Sequence, residues 1–154
     1  MTSNQKKWFV WALVAFVMFV FIQSLPFKFQ LIESKETEII FSTIAAWMTS
    51  VGLGSIAPAF ESFGGFAVGA SELIASILLL IPATRRTGAL LGLVIISGAI
   101  FFHLFTPLGV HRVVDEAGNT DGGVLFYMAC GVWVCCVLIF IFGKSKQKYR
   151  SAYR

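Results

Sequence analysis

Four stretches of this chain run for about twenty residues with almost no ionisable side chain, and they leave few folds open. Residues 8–27 and 122–143 carry no charge, residues 62–84 carry only Glu72, and residues 87–110 carry only His103. At a helical rise of about 1.5 Å per residue, each run is long enough to cross a hydrocarbon core of about 30 Å. In such a medium every backbone polar group must be satisfied within its own segment, so each run is expected as a helix. The expected fold is all-α: a four-transmembrane-helix bundle, with residues 1–154 forming a single integral membrane domain. Composition agrees. Hydrophobic residues make up 57% and charged residues 13% of the chain, against roughly 25% charged in a soluble domain.

Lys6 and Lys7 precede the first run, but no small-x-small cleavage site follows it. An uncleaved span is expected rather than a removed signal. With four spans, both chain ends fall on one side. Lys6, Lys7, Arg85, Arg86, Lys144, Lys146, Lys148, Arg150 and Arg154 flank the span ends that face that side. The other side holds Glu33, Glu36, Glu38, Glu61, Asp115, Glu116 and Asp121, with only Lys28, Lys35 and Arg112 as basic residues. The positive-inside rule places both termini in the cytoplasm, and a bacterial inner membrane is the expected location. Net charge is +4, but the basic residues sit in short clusters between apolar runs. They read as topology signals and contacts with anionic lipid, not as a nucleic-acid surface. The basic segment 144–154 is expected as a cytoplasmic tail.

The outer segment 29–61 is too long for a plain turn. Ile40, Ile44, Trp47, Met48 and Val51 recur at helical spacing. They predict either an interfacial helix or a packed loop covering the bundle, broken after Val51 by Gly52-Leu53-Gly54 and Pro58. Trp8, Trp11, Trp47 and Tyr149 fit interfacial anchors. Phe16, Phe19 and Phe21 read as lipid-facing or packed.

The polar groups inside the spans are the costly ones. A carboxylate at the depth of Glu72 costs roughly 2.5–3.5 kcal/mol on insertion scales and should face the bundle interior. Gly65-x-x-x-Gly69 near it, and Gly88-x-x-x-Gly92 on the third span, fit close helix packing. Counted from the cytoplasmic ends, Glu72 lies about 18 Å up, Gln23 about 22 Å, and His103 and Tyr127 about 24 Å. Gln23, Glu72, His103 and Tyr127 are therefore expected to converge on a buried polar site opening outward. Ser24 lies beside them, and Lys28 is within reach from the rim. A carboxylate beside an imidazole can exchange protons or bind a ligand. The structural alternative is a Glu72–His103 pair that only holds helices together. No His-x-x-x-His or Glu-x-x-His pair lies within a span, so no metal site is expected. Cys130, Cys135 and Cys136 form no Cys-x-x-Cys motif and read as small apolar residues.

Several segments resemble the DoxX-like family of small four-span membrane proteins. The stretch Val68-Gly-Ala-Ser-Glu-Leu-Ile-Ala-Ser-Ile-Leu-Leu-Leu-Ile-Pro-Ala-Thr-Arg85 is similar to that family's second span. Gly88-Ala89 and Ser97-Gly-Ala-Ile-Phe-Phe-His103-Leu104 are similar to its third. Phe27-Lys28-Phe29, Glu36-Thr37 and Asp121-Gly-Gly123 also look like family features. The resemblance covers residues 23–142. It implies a redox-associated membrane subunit that contacts quinone and works with a separate redox partner protein. It assigns no catalytic residue. No haem or flavin signature is present, so no intrinsic cofactor is expected. The competing readings are a non-enzymatic anchor or assembly protein and a small carrier or lipid-binding protein; a carrier of four spans without inverted repeats would call for a homo-oligomer.

Overall fold

The computed structural model describes residues 2–115 and 117–143. Five helices follow in chain order: α1 (Ser3–Lys28), α2 (Lys35–Ser50), α3 (Ala57–Leu80), α4 (Arg85–Phe105) and α5 (Val124–Phe142). All but α2 are long and apolar enough to cross a membrane. The expected tail 144–154, with Tyr149, lies outside the described residues.

The four long helices close a ring in which α1 packs on α3, α3 on α4, α4 on α5, and α5 back on α1. Val10, Val14, Val17 and Phe21 form one buried stripe of α1. Against it lie Ala75 and Leu79 of α3, Ala89 and Ile96 of α4, and Val132, Cys136 and Ile139 of α5. Their spacing of three and four residues keeps each stripe on one helix face. Outside the stripes the helices remain apolar, with Trp8, Phe19, Phe63, Val94 and Phe105 exposed. A helix apolar on every side is the form expected of a lipid-embedded bundle. Cys136 sits in this core as a buried free thiol, and Phe21 is buried whereas Phe19 faces outward.

Prolines and glycines set the helix boundaries, and these differ from the sequence expectation. Pro82 pushes Ile81 into extended backbone, so α3 stops at Leu80 rather than near Thr84. Thr106, before Pro107, is likewise extended and ends α4 at Phe105 rather than near Val110. Pro58 was expected to break the outer segment; it instead occupies the first turn of α3, where its missing N–H costs nothing. The segment 29–61 contains a true helix. Ser34 caps α2 by accepting from the Thr37 amide, and Glu36 and Glu38 lie in the first turn, where the helix dipole favours negative charge. Ile44, Ala45 and Met48 bury against Ala57 and Leu108, with Ile40, Trp47, Phe60 and Phe102 around them.

At the opposite end of the bundle the paired arginines cap helices. Arg85 Nε donates to the Leu79 carbonyl at 2.9 Å, and its guanidinium lies 4.2 Å from the Trp11 ring centroid. Arg86 Nε donates to the Phe140 carbonyl at 2.8 Å. These contacts satisfy C-terminal carbonyls of α3 and α5 that have no intrahelical partner. Trp11 is thus a packing partner of a buried arginine, and Trp47 packs on Phe101 and Phe102.

Candidate functional site

Glycines on α3 decide what meets Glu72. A Cβ at Gly69 would lie 3.2 Å from Lys28 Cβ and 3.0 Å from the Phe29 ring. A Cβ at Gly65 would lie 3.2 Å from the Lys28 carbonyl oxygen. The two bare positions let the last turn of α1 settle against α3, with Lys28 one helical turn from Glu72. Lys28 Nζ then reaches both carboxylate oxygens, at 2.6 Å from Oε1 and 2.5 Å from Oε2. The Ser24 hydroxyl lies 3.2 Å from Oε2, its one hydrogen shared between that oxygen and the Phe21 carbonyl at 2.8 Å. Glu72 is 4% exposed. The acid that sequence alone places at mid-bilayer is therefore turned inward, paired and hydrogen-bonded, which is the condition for holding a charge there.

The expected structural alternative, a direct Glu72–His103 pair, is not what forms. His103 Nδ1 lies 2.6 Å from the Gly109 carbonyl oxygen. A carbonyl can only accept, so Nδ1 carries the hydrogen. In the neutral ring Nε2 is then the acceptor. The loop that follows α4 provides this partner, because Thr106, Pro107 and Gly109, with its positive φ, turn the chain back over the helix end. The imidazole is buried and packs edge-on against Phe126.

Glu72 and His103 line a common, partly open cavity of about 720 Å³ bordered by α1, α2, α3, α4 and α5. Its wall is mainly apolar, with Phe21, Phe27, Ile44, Phe60, Phe102 and Leu125 among the lining residues. Gln23, Ser24, Lys28, Glu72 and His103 all border it. Gln23 is otherwise exposed. Tyr127 does not join them. It is 63% exposed and packs beside Phe126. The α5 residues that line the cavity are Leu125, Met128 and Ala129. Tyr127 lies two residues from Leu125, about 200° around the helix at 100° per residue. Its direction around the helix is what the sequence expectation missed.

The site also contains a residue that sequence reasoning did not select. Arg112 lies in the α4–α5 connection, is 6% exposed, and lines the cavity. A short antiparallel bridge between Val113 and Thr120 brings Asp121 back beside it, and the Asp121 amide donates to the Arg112 carbonyl. Arg112 Nη2 donates to Glu36 Oε2 at 2.8 Å, and Nε lies 3.2 Å from Asp121 Oδ2. The latter is an ion-pair distance without hydrogen-bond alignment. Three separated segments are tied together by one guanidinium. The only sequence signal was a lone arginine on the acidic side, and nothing local announced its partners.

Outside the spans, Asp115 organises the tip of this connection. Its carboxylate accepts from the Ala117 and Asn119 amides and the Asn119 side chain. These donors hold the carboxyl below its ordinary range, with the Asn119 side chain the largest contribution.

The arrangement can hold an amphipathic molecule whose apolar body contacts the aromatic wall, with Lys28 and His103 as polar groups on its border. Among the described residues no cluster of three His, Cys, Asp or Glu side chains is placed to hold a metal ion. Comparison with known proteins gives no matching family model, no matching curated protein and no matching solved structure.

Proposed function

We propose that this chain is a DoxX-like membrane subunit that binds a lipid-soluble quinone in the cavity and serves a redox system whose electrons come from a separate partner protein. The observation that carries this reading is the pair of half-buried Lys28 and buried Glu72 on the wall of a mainly apolar cavity that also presents His103. Ligand sites have this composition: apolar walls and a few convergent polar groups. A second observation supports the resemblance. Lys28, Glu36, Thr37, Glu72 and His103 come from four of the separate segments that carry it, and all five line this cavity. Asp121, from a fifth segment, pairs with the cavity residue Arg112.

The chemistry suits both forms of a quinone. A quinone oxygen accepts hydrogen bonds, and Lys28 has donor capacity for it beside Glu72. A quinol hydroxyl donates, and a His103 ring that keeps its hydrogen on Nδ1 toward Gly109 leaves Nε2 to accept when uncharged. The chain's own part is to bind, orient and exchange protons. By the positive-inside argument the α2 end faces away from the cytoplasm of a bacterial inner membrane.

The test is saturable quenching of tryptophan fluorescence by decyl-1,4-benzoquinone in nanodiscs. Trp47 reports directly, since its ring centroid lies 6.3 Å from that of the cavity residue Phe102. The wild-type chain should show a saturable component, weakened about tenfold in Glu72→Gln, which removes the carboxylate that fixes Lys28 Nζ on the cavity wall. Quenching that never saturates in the wild type contradicts the reading.

A second reading, a membrane anchor for an assembly partner, is favoured by the exposed acidic start of α2, where Glu33, Glu36 and Glu38 stand at the surface. In that case a soluble basic partner co-purifies with the wild type and equally with Glu72→Gln.

A further inference from the structure

We infer that the cavity opens sideways into the bilayer between α3 and α4, and that the hydrocarbon tail of a single-tailed, lipid-soluble molecule lies in that opening while its head stays beside Lys28 and Glu72. This rests on reading the cavity as a ligand site and adds how the ligand sits in it and from which side it arrives.

Glycines show where the two helices touch and where they part. Close to the turn 81–84 that joins them, α3 and α4 are in tight contact, since a Cβ at Gly88 would lie 2.8 Å from the Leu79 backbone nitrogen. Further along α4, a Cβ at Gly98 would meet nothing within 4 Å. At the far end α2 and its aromatic neighbours close the gap again. A Cβ at Gly64 would lie 3.0 Å from the Phe41 ring, and the Phe60 and Phe102 ring centroids are 5.9 Å apart. Between these closures four residues fall level with each other in pairs. Ser71 and Val94 each lie about 14 Å from the helix ends at the turn, and Ala67 and Gly98 each about 20 Å, by the rise per residue. All four line the cavity. Ala67 and Val94 are nevertheless exposed on the outside of the bundle, Val94 to 65%. Residues that border a cavity and the outer surface at once stand at its mouth.

This mouth lies within the spans, so the medium outside it is hydrocarbon. Its rim accommodates a hydrocarbon chain. Ala67, Ser71 and Gly98 carry little or no side chain, and the Ser71 hydroxyl is used by the Ala67 carbonyl at 2.8 Å. Ile74, Leu90 and Phe101 continue an exposed apolar face around it. The cavity also reaches exposed residues between α1 and α5, but the residues on that side, Gln23, Phe27, Leu125 and Met128, all carry long side chains. Ser71 adjoins Glu72, so a head held at the Lys28–Glu72 pair leaves its tail at the α3–α4 rim.

The experiment maps two photoprobes on the full chain in nanodiscs. Both carry a decyl tail ending in a diazirine; one has a 1,4-benzoquinone head and the other a benzene head. Labelled residues are located by mass spectrometry with and without an excess of the diazirine-free compound, and only labelling that the excess removes is counted. Competed labelling by the quinone probe at Ala67, Ser71, Val94 or Gly98 is expected. Equal labelling there by the benzene probe supports the opening while counting against a polar head site at Lys28 and Glu72. Labelling centred on Gln23 and Met128 overturns the choice of opening and places the tail between α1 and α5. Labelling centred on Ser34 and Thr37 overturns a tail lying in the bilayer. No competed labelling by either probe removes the ligand and the opening with it. Ala67→Phe/Val94→Phe enlarges two exposed side chains at the rim. It should fold as the wild type does and lose the competed labelling of Ser71 and Gly98; undiminished labelling contradicts the proposal. Should this variant fail to fold, the wild-type map decides alone.

Discussion

Lys28 at the end of α1 and Glu72 in the middle of α3, forty-four residues apart, form a salt bridge with both carboxylate oxygens within 2.6 Å of the ammonium. The pair converts the most expensive residue of the second span into a fixed polar feature. A buried pair is strongly asymmetric under mutation, because removing one partner strands the other, whereas replacing both with apolar side chains is often neutral.

That asymmetry separates stability from function. Lys28→Met should lower stability by on the order of 3 kcal/mol, read from thermal unfolding in detergent. Lys28→Met/Glu72→Leu should recover most of this loss yet show no saturable quinone binding. Recovery of both properties together would mean that the pair is only structural.

The glycines make opposite predictions according to what a Cβ would meet. At Gly88 it would lie 2.8 Å from the Leu79 backbone nitrogen and 3.0 Å from the Ala75 carbonyl oxygen, so Gly88→Ala must push α4 off α3. The expected cost is about 1–3 kcal/mol. At Gly98 nothing lies within 4 Å, and the residue lines the cavity. Gly98→Leu should fold with an unchanged melting temperature while occupying ligand space. A melting temperature that falls more for Gly98→Leu than for Gly88→Ala would contradict this packing.

Arg85 should behave as a structural cation. Arg85→Met removes donors to the Leu79 and Leu80 carbonyls and the cation over Trp11. A loss of about 1–3 kcal/mol is expected, with a shift in Trp11 emission and no change in ligand affinity once folded. An unchanged melting temperature would remove its capping role.

The loop tip should be pH-dependent in a defined direction. Hydrogen bonds chiefly from Asn119 hold the Asp115 carboxyl below its ordinary range. A group lowered in the folded state stabilises that state above its unfolded pKa, and the contribution is lost as pH falls through the folded value. Amide exchange at Ala117 and Asn119 should therefore accelerate on acidification below the ordinary aspartate range. Asn119→Ala should move the onset to higher pH; an onset that does not move would exclude the side-chain contact as the cause.

Much of the fold was readable because the physics was one-dimensional. The nearly uncharged runs predict four long apolar helices, and four form. The periodic Ile40, Ile44, Trp47, Met48 and Val51 offered a helix beside a packed loop, and the cap at Ser34 emerges only with the structure. Direction around a helix was harder. The helix α5 is apolar on all sides, so no polar face announced that Tyr127 points away from Leu125 and Ala129. The partners of Glu72 were half legible, since Lys28 and Ser24 were placed within reach but without a reason to prefer them. His103 was the nearest candidate in kind and depth, yet Lys28 wins because Gly65 and Gly69 draw the end of α1 against α3. Arg112 was invisible as a site residue, since its position depends on α2, the loop bridge and Asp121 at once.

The most direct test of the account is native mass spectrometry of the chain extracted in a gentle detergent, beside the same preparation of Gly98→Leu. The account predicts one neutral, carbonyl-bearing lipid-soluble molecule retained per wild-type chain and lost from the folded variant. Wild-type protein that carries no such molecule, or a variant that retains it equally, would contradict a ligand cavity beside Lys28 and Glu72.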